Sequence, residues 1–501
     1  MDAIEQLRED LRNGRIDANR LIDVITVLQR QLEAAKQRIE ELEKNAGGPA
    51  TPVTAKCDQP FSMRAEEKRQ KQRGKSKLKL SKKARRGRLT SADKIKLAKR
   101  TEPCFPEGVP HKDCQYSHTR TAWRLEGGQA VLIAYAIYRG PRKQYGKVPG
   151  VLGRSEFGME IVLEVAYFVY VMGLSFDKVC QLLQFMQNLR LGKTQADALL
   201  RQLARHWEHE FEVLCTLLAN SLVVHADETS WSLNSVWAML SEKARVLLYG
   251  VHKDAETLEK ILDPRTFGGV VISDDAQVYA NFSQAQKCWA HLLRKAIKLT
   301  LQEPRNLEYR EFTDGLLEIY RQACRAQRDK RLGGAGRAAR VRELDDQIVE
   351  LCAAEWVLEL PPLPASPAND YRLLVGELMR LMVDEQLFVF VTTEPARQPN
   401  GKSEPVSGTN NESERTLRNP AMARDTGRGN KTFVGARRQT IIVSVLESLR
   451  VYLPTFTLAG ILAEVNEWYK KGQSCFSRLL RKMKLKTPTE SILDQVLPLT
   501  G

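Results

Sequence analysis

Between residues 221 and 274 the chain carries a pattern that few folds accommodate. The run Ser-Leu-Val-Val-His-Ala-Asp-Glu-Thr (221–229) is short, apolar and β-branched, and it stops abruptly at two acids. A run of that length bounded by polar residues reads as a buried strand, with Asp227 just past its C-terminal end. Two more strand candidates follow at 235–240 and 245–251, each set off by polar turn residues. Residues 254–262 then have helical spacing, 268–274 return to strand, and 287–290 form a short fifth strand that runs into a helix over 291–300.

A three-strand meander, a helix, a fourth strand and a fifth leading into a helix is the order of ribonuclease-H-like sheets, so an α/β core of that class is expected. In such a sheet the first and fourth strands are neighbours, which would bring Asp227 and Asp274 to one end, where open α/β sheets hold their ligands. A third acid, Glu414, stands at the start of a helix behind the long polar loop 392–409. Three carboxylates offer hard oxygen ligands to Mg²⁺ (or Mn²⁺), and a metal pair about 3.5–4 Å apart suits in-line phosphoryl displacement. Glu228 and Asp275 are expected to point away. A strand-end Asp serving only as a turn residue is the bland alternative.

Charge points to the substrate class. The net +16 is concentrated in residues 64–100, where 17 Lys and Arg face Glu66, Glu67 and Asp93. With little apolar periodicity, this segment reads as unfolded alone and able to neutralise phosphates, with Lys82, Lys83, Arg85, Arg86 and Arg88 at its densest part; a merely solvated charge run is the alternative. Ahead of it, Ile4, Leu7, Leu11, Gly14, Ala18, Leu21, Ile25, Leu28, Leu32, Ala35, Ile39 and Leu42 fall alternately three and four residues apart, indicating a coiled coil or one amphipathic helix packed on its own protein. Behind it, Cys104, His111, Cys114 and His118 form a candidate Zn²⁺ loop, without the close Cys pairs of a standard zinc site.

Gln129–Arg139 could be a strand, residues 157–172 a buried helix, and two helices joined by the turn 187–192 either a helix-turn-helix, with Lys193 and Arg201 facing phosphate, or a plain helical hairpin. Arg415 and Arg418 lie three apart on the Glu414 helix, which Asn410 and Asn411 could cap. Arg428, Lys431, Arg437 and Arg438 belong to a glycine-loosened basic loop over 424–438, a further candidate DNA contact. His291, at the start of a helix beside the fifth strand, reads as a satisfied structural histidine, with a place near the site as the alternative. The nine scattered cysteines, the absence of an apolar leader and the lack of any 18-residue apolar run lead to an expected cytoplasmic, nucleoid-associated protein with no membrane partner.

The expected divisions are a coiled coil (1–46), a disordered basic linker (47–100), the Cys/His loop (101–125), a mixed and mainly helical region (126–217), the first part of the core (218–300), a helical insertion (301–391), the second part of the core (392–470) and a basic C-terminal tail (471–501). Four blocks, His225-Ala-Asp-Glu-Thr229, Ser273-Asp-Asp-Ala-Gln-Val-Tyr279 with Cys288-Trp-Ala-His291, Asn410-Asn-Glu-Ser-Glu-Arg-Thr-Leu-Arg418 and Ser444-Val-Leu-Glu-Ser-Leu449, resemble the insertion-sequence-66 family of bacterial transposases. That resemblance implies an Asp-Asp-Glu triad of Asp227, Asp274 and Glu414. It prefers Glu414 to Glu412 because the family's acid directly precedes an arginine. It further implies cleavage of element ends, their joining to target double-stranded DNA, and a homodimer or higher assembly. A nuclease of the same fold without strand transfer, or a DNA binder with an idle site, are the rival readings.

Overall fold

The computed structural model describes residues 89–353 and 365–498. The heptad stretch, most of the basic linker and the cations Lys82, Lys83, Arg85, Arg86 and Arg88 lie outside the described residues.

The end of the expected disordered linker is folded. Thr90 accepts from the Asp93 amide, Asp93 returns a bond to the Thr90 amide, and this capping box starts α1 (Ser91–Leu97). Lys94 then reaches Glu156 at 2.6 Å. Charge density hid a local helix signal. The next segment is likewise a sheet and not a loop: β1 (Arg100–Cys104), β2 (Gln115–Glu126) and β3 (Gln129–Arg139) pair in the order β1-β3-β2. β2 and β3 form a hairpin through Gly127 and Gly128, both at positive φ, so a boundary at 125/126 would cut the hairpin at its turn.

α2 (Met159–Ala166) continues as a π-helical stretch over Tyr167–Val171. α3 (Phe176–Gln187), capped by Ser175, and α4 (Lys193–Ala219) follow. α4 runs twelve residues past the expected end at Trp207 because its apolar stripe, from Leu199 through Trp207 and Phe211 to Leu218, keeps facing the core. The second arm of the expected helix-turn-helix is thus a core helix.

The central sheet comprises β4 (Val223–Ser230), β5 (Ser235–Ser241), β6 (Arg245–Val251), β7 (Val270–Ser273) and β8 (Ala285–Lys287), in the order β6-β5-β4-β7-β8. The meander β4-β5-β6 is antiparallel, and β7 and β8 add in parallel, with α5 (Ala255–Glu259) between β6 and β7. Side chains alternate between faces. Val224, Ala226, Trp237, Met239 and Val271 join one core with α4, whereas Val223, Val270 and Ile272 join another with α6 (Trp289–Gln302), α7 (Leu307–Arg328), α8 (Gly334–Cys352) and α9 (Pro367–Val383). The segment expected as an insertion is helical, and it supplies most of this second core.

Beyond it run α10 (Val389–Thr392), α11 (Asn411–Asp425), α12 (Phe433–Tyr452), α13 (Leu458–Lys471), α14 (Cys475–Lys482) and α15 (Ile492–Val496). The expected tail is docked. Phe476, Leu480, Ile492 and Leu493 are buried in the main core, and Glu212 on α4 accepts from Ser491 Oγ and from the amides of Ile492 and Leu493.

Strand β6 is an edge of the central sheet, and α12 covers it by an unusual route. Thr440, Ser444 and Ser448, one turn apart, are fully buried; their hydroxyls accept from the amides of Tyr249, Leu247 and Arg245, each at 2.9 Å. Ser444 and Ser448 also donate to the carbonyls of Leu247 and Arg245. The helical period of 5.4 Å per turn is close enough to two strand residues for three hydroxyls to meet three alternate amides. Ser444→Ala leaves the Leu247 amide buried without its acceptor, so urea unfolding should show a loss of about 1–3 kcal/mol. A Ser444→Ala protein as stable as the wild type would show that this pairing contributes nothing.

Candidate active site

The site is assembled from three elements by one side chain. Asn410 directly precedes α11 and is completely buried. The sequence suggests that it caps the helix; instead its Nδ2 crosses to donate to the Ala226 carbonyl on β4 at 2.8 Å, and its amide donates to Cys288 Sγ at 3.1 Å. The Trp289 amide donates to the Gly408 carbonyl at 3.0 Å. These bonds hold the first turn of α11 against the residue before Asp227 and against the start of α6.

Asp227 lies within β4, paired with Ala238, not past the strand end. Sequence reasoning ended the strand early because residues 227–230 are polar, yet β5 continues to pair with them while β7 stops at His225. Alternation then sets the geometry. Val223, His225 and Asp227 share a face; on β7, Val270 and Ile272 share it, and Asp274 is the next position. Across the ladder Asp227 faces Ala238, which packs with Leu417 of α11. The helix carrying Glu414 therefore covers the face on which Asp227 stands.

Electrostatics registers the convergence. The Asp227 carboxyl is pushed up to about 7, first by burial, then by the adjoining Glu228 carboxylate and further by Asp274 and Glu414; the Glu228 amide, donating at 2.9 Å, opposes this. The surrounding acids are held elsewhere. Glu228 accepts from Tyr279 Oη and from Lys253 Nζ at 2.6 Å, Glu412 pairs with Arg245, and Asp275 pairs with Arg380 and, at 3.6 Å, with Lys287. Glu414 is neutralised by Arg294 at 2.6 Å and lies 3.7 Å from His291 Nε2.

Among the described residues, Cys288, His291 and Glu414 are the group whose ligand atoms all lie within 4.8 Å of one another. Sequence reasoning gave His291 a structural role; the Cys288-Trp-Ala-His291 block beside Glu414 was the signal for a place at the site. Burial and Arg294 depress the His291 pKa, which keeps the ring neutral and able to ligate or accept a proton. The Asp227, Asp274 and Glu414 carboxylates do not form such a group at that spacing; as hard oxygen donors, with Asp274 and Glu414 both disfavouring charge on Asp227, they would suit a divalent cation brought between them. A groove of about 820 Å³ opens beside Asp274 and His291, walled by Lys287, Lys295 and Arg380.

Other expected site residues are placed differently. The candidate zinc quartet does not gather: Cys104 is buried among Ala122, Ile133 and Ile137, His111 stacks on Phe105, Cys114 donates to the Pro110 carbonyl, and His118 Nδ1 meets Ser117 Oγ. The segment is mostly strand, so alternation and stacking separate the four. Arg437 and Arg438 belong to α12 and turn inward: Arg437 bonds Glu208 and Asp494, and Arg438 bonds Tyr170 and Asp197. They are structural cations, not a DNA-facing loop. Lys193 and Arg201 are exposed but paired with Asp177 and Asp197. Arg415, Arg418, Arg428 and Lys431 are exposed, Arg428 reaching the Gly173 carbonyl at 2.6 Å.

A family model described as "Transposase IS66 family" matches residues 154–438, more than half of the chain. No curated protein matches it.

The raised Asp227 carboxyl has a thermodynamic signature. Its folded pKa of about 7 exceeds the ordinary Asp value, so the stability tied to its protonated form is complete below about pH 4 and is lost as pH rises to 7. In EDTA, Asp227→Asn should melt close to wild type at pH 4 and progressively above it toward pH 8. Parallel curves across that range would remove the strained carboxyl from the site.

Proposed function

Because the chain belongs to the IS66 family of transposases, we propose that Asp227, Asp274 and Glu414 form a metal-binding catalytic triad on a ribonuclease-H-like core. The transposase uses it to cleave element ends and join them to target DNA. One observation carries the assignment: Asp274 and Glu414, 47 and 187 residues away along the chain, both act on the buried Asp227 carboxyl, adding to the burial and the Glu228 charge that lift it to about 7.

Asp227, Asp274 and Glu414 would hold Mg²⁺ (or Mn²⁺). When bound, the cations acidify the attacking water and neutralise charge on the scissile phosphate. The protein's own groups do the rest. Asn410 holds Glu414 in register with β4. Arg294 balances the Glu414 charge until a cation and DNA replace it. Arg415 and Arg418, exposed on α11, meet the phosphate chain with planar forks. Water attacks the end phosphate, the bond to the departing oxygen breaks, and the freed 3′-hydroxyl then attacks a target phosphodiester in a second displacement. Two ends must be held together, which calls for a homodimer or larger assembly, and the N-terminal heptads offer a seam. No described helix is long and apolar enough to cross a membrane; a cytoplasmic, nucleoid-associated protein accords with a DNA substrate.

Asp227→Asn should reduce Mg²⁺-dependent nicking of an end-bearing duplex to background while end binding stays within about twofold. Retained nicking would remove Asp227 from the triad. Glu414→Gln should behave likewise and Glu412→Gln should stay active, the reverse result assigning the role to Glu412. Joining of pre-cleaved ends to a plasmid separates a transposase from a nuclease of the same fold: a protein that nicks but never joins is the latter.

A further inference from the structure

We propose that the far end of the β1-β3-β2 sheet is a second docking surface for duplex DNA, apart from the triad and built from residues that the expected zinc loop obscured. The inference rests on the reading that DNA is this protein's partner.

Three chain segments meet at that end: β1 finishes at Cys104, β2 starts at Gln115 and β3 finishes at Arg139. The loops between them are pressed together. A Cβ on Gly146 would lie 1.9 Å from the Cys104 carbonyl oxygen, so the loop after β3 sits directly on β1 and tolerates nothing larger than glycine. A Cβ on Gly140 would meet Val109 of the other loop at 3.3 Å. The rings of His111 and Phe105 stack at 3.9 Å, Phe105 and Tyr138 at 4.4 Å, and Tyr116 meets Tyr138 edge-on at 6.1 Å. This ladder of rings stiffens the two loops into one platform.

The platform presents Lys112, Arg139, Arg142, Lys143 and Lys147, all exposed. None forms an ion pair with another described residue, although Arg and Lys side chains elsewhere on the fold often do. Two exposed acids, Glu107 and Asp113, stand against these five cations. Tyr116 and Tyr145 are 59% and 48% exposed at the rim. Cations without an ion-pair partner need break no salt bridge to meet a phosphate, and their clustering on a rigid end raises the local potential that attracts a polyanion. Tyrosine hydroxyls add phosphate hydrogen bonds of the kind that fix register without reading sequence. The surface therefore grips the duplex backbone and positions it.

The test uses the full-length protein and a labelled duplex carrying the element end, with affinity followed by anisotropy across a salt series. Each phosphate contact contributes a slope of about 0.9 in log affinity against log salt. Arg142→Glu combined with Lys147→Glu should weaken binding roughly tenfold or more and lower the slope by about 2. The exchange Arg142→Lys with Lys147→Arg should restore both, and the melting temperature of either protein should match wild type because both residues are exposed. A charge-reversed protein with wild-type affinity and slope overturns the proposal. The readout is independent of the triad: Asp227→Asn removes nicking and leaves this slope unchanged, so the two readings fail separately. If the wild-type protein binds no duplex at all, the DNA partner itself falls and this surface with it.

Discussion

The amide of Asn410 is the contact on which the rest of the site depends. It is a buried polar group that satisfies Ala226 on β4 with its side chain and Cys288 with its backbone, so three elements far apart in sequence share one residue. A buried hydrogen bond of this kind contributes only about 1 kcal/mol net, but losing one partner leaves the others unsatisfied in a dry interior. Its weight is therefore in specificity of placement. A helix free to slide along the sheet by one turn would carry Glu414 about 5.4 Å from where it stands.

Around this joint the charges are arranged with a clear division. Glu228, Glu412 and Asp275 each have a cation partner, and Glu414 has Arg294. Asp227 is left with burial and like charge, opposed by a neighbouring amide and, more weakly, by Lys253, which pairs with Glu228. A site tuned in this way is poor at holding its own negative charge and correspondingly receptive to an incoming dication. Burial first disfavours a charged His291, and the same balance adds to it: Arg294, which quiets Glu414, also works against a charged imidazole.

Much of the central sheet was legible because its strands are buried on both faces and stand out as short apolar runs between polar turns. The strands over 235–241, 245–251 and 270–273 were foreseen within a residue or two, and the adjacency of β4 and β7 followed from their order. What stayed hidden has a common cause, polar sequence inside regular structure. β2 is twelve residues long and only Ala122 is fully buried, so a half-exposed strand looked like a loop. The last residues of β4 looked like a turn. Arg437 and Arg438 looked like a surface because their partners are remote in sequence: Asp494 lies 57 residues on, and Glu208, Asp197 and Tyr170 lie more than 200 residues back. The closeness of His291 to Glu414 is likewise tertiary, set by the hydrogen bonds at Asn410 and Gly408; the Cys288-Trp-Ala-His291 block pointed to the site but not to this contact.

The hydroxyl ladder on α12 reaches past stability. At the opposite margin of the sheet, Lys287 on β8 bonds the Gln386 carbonyl, and the Gln286 side chain bonds Leu387 and Phe390. With one border stitched to a helix and the other partly to the segment ahead of α10, the central sheet offers few open rungs on which a strand from another molecule could add. Any association between copies of this chain would run through side-chain surfaces or helices outside the sheet, and crowding on DNA would not by itself invite edge-to-edge growth.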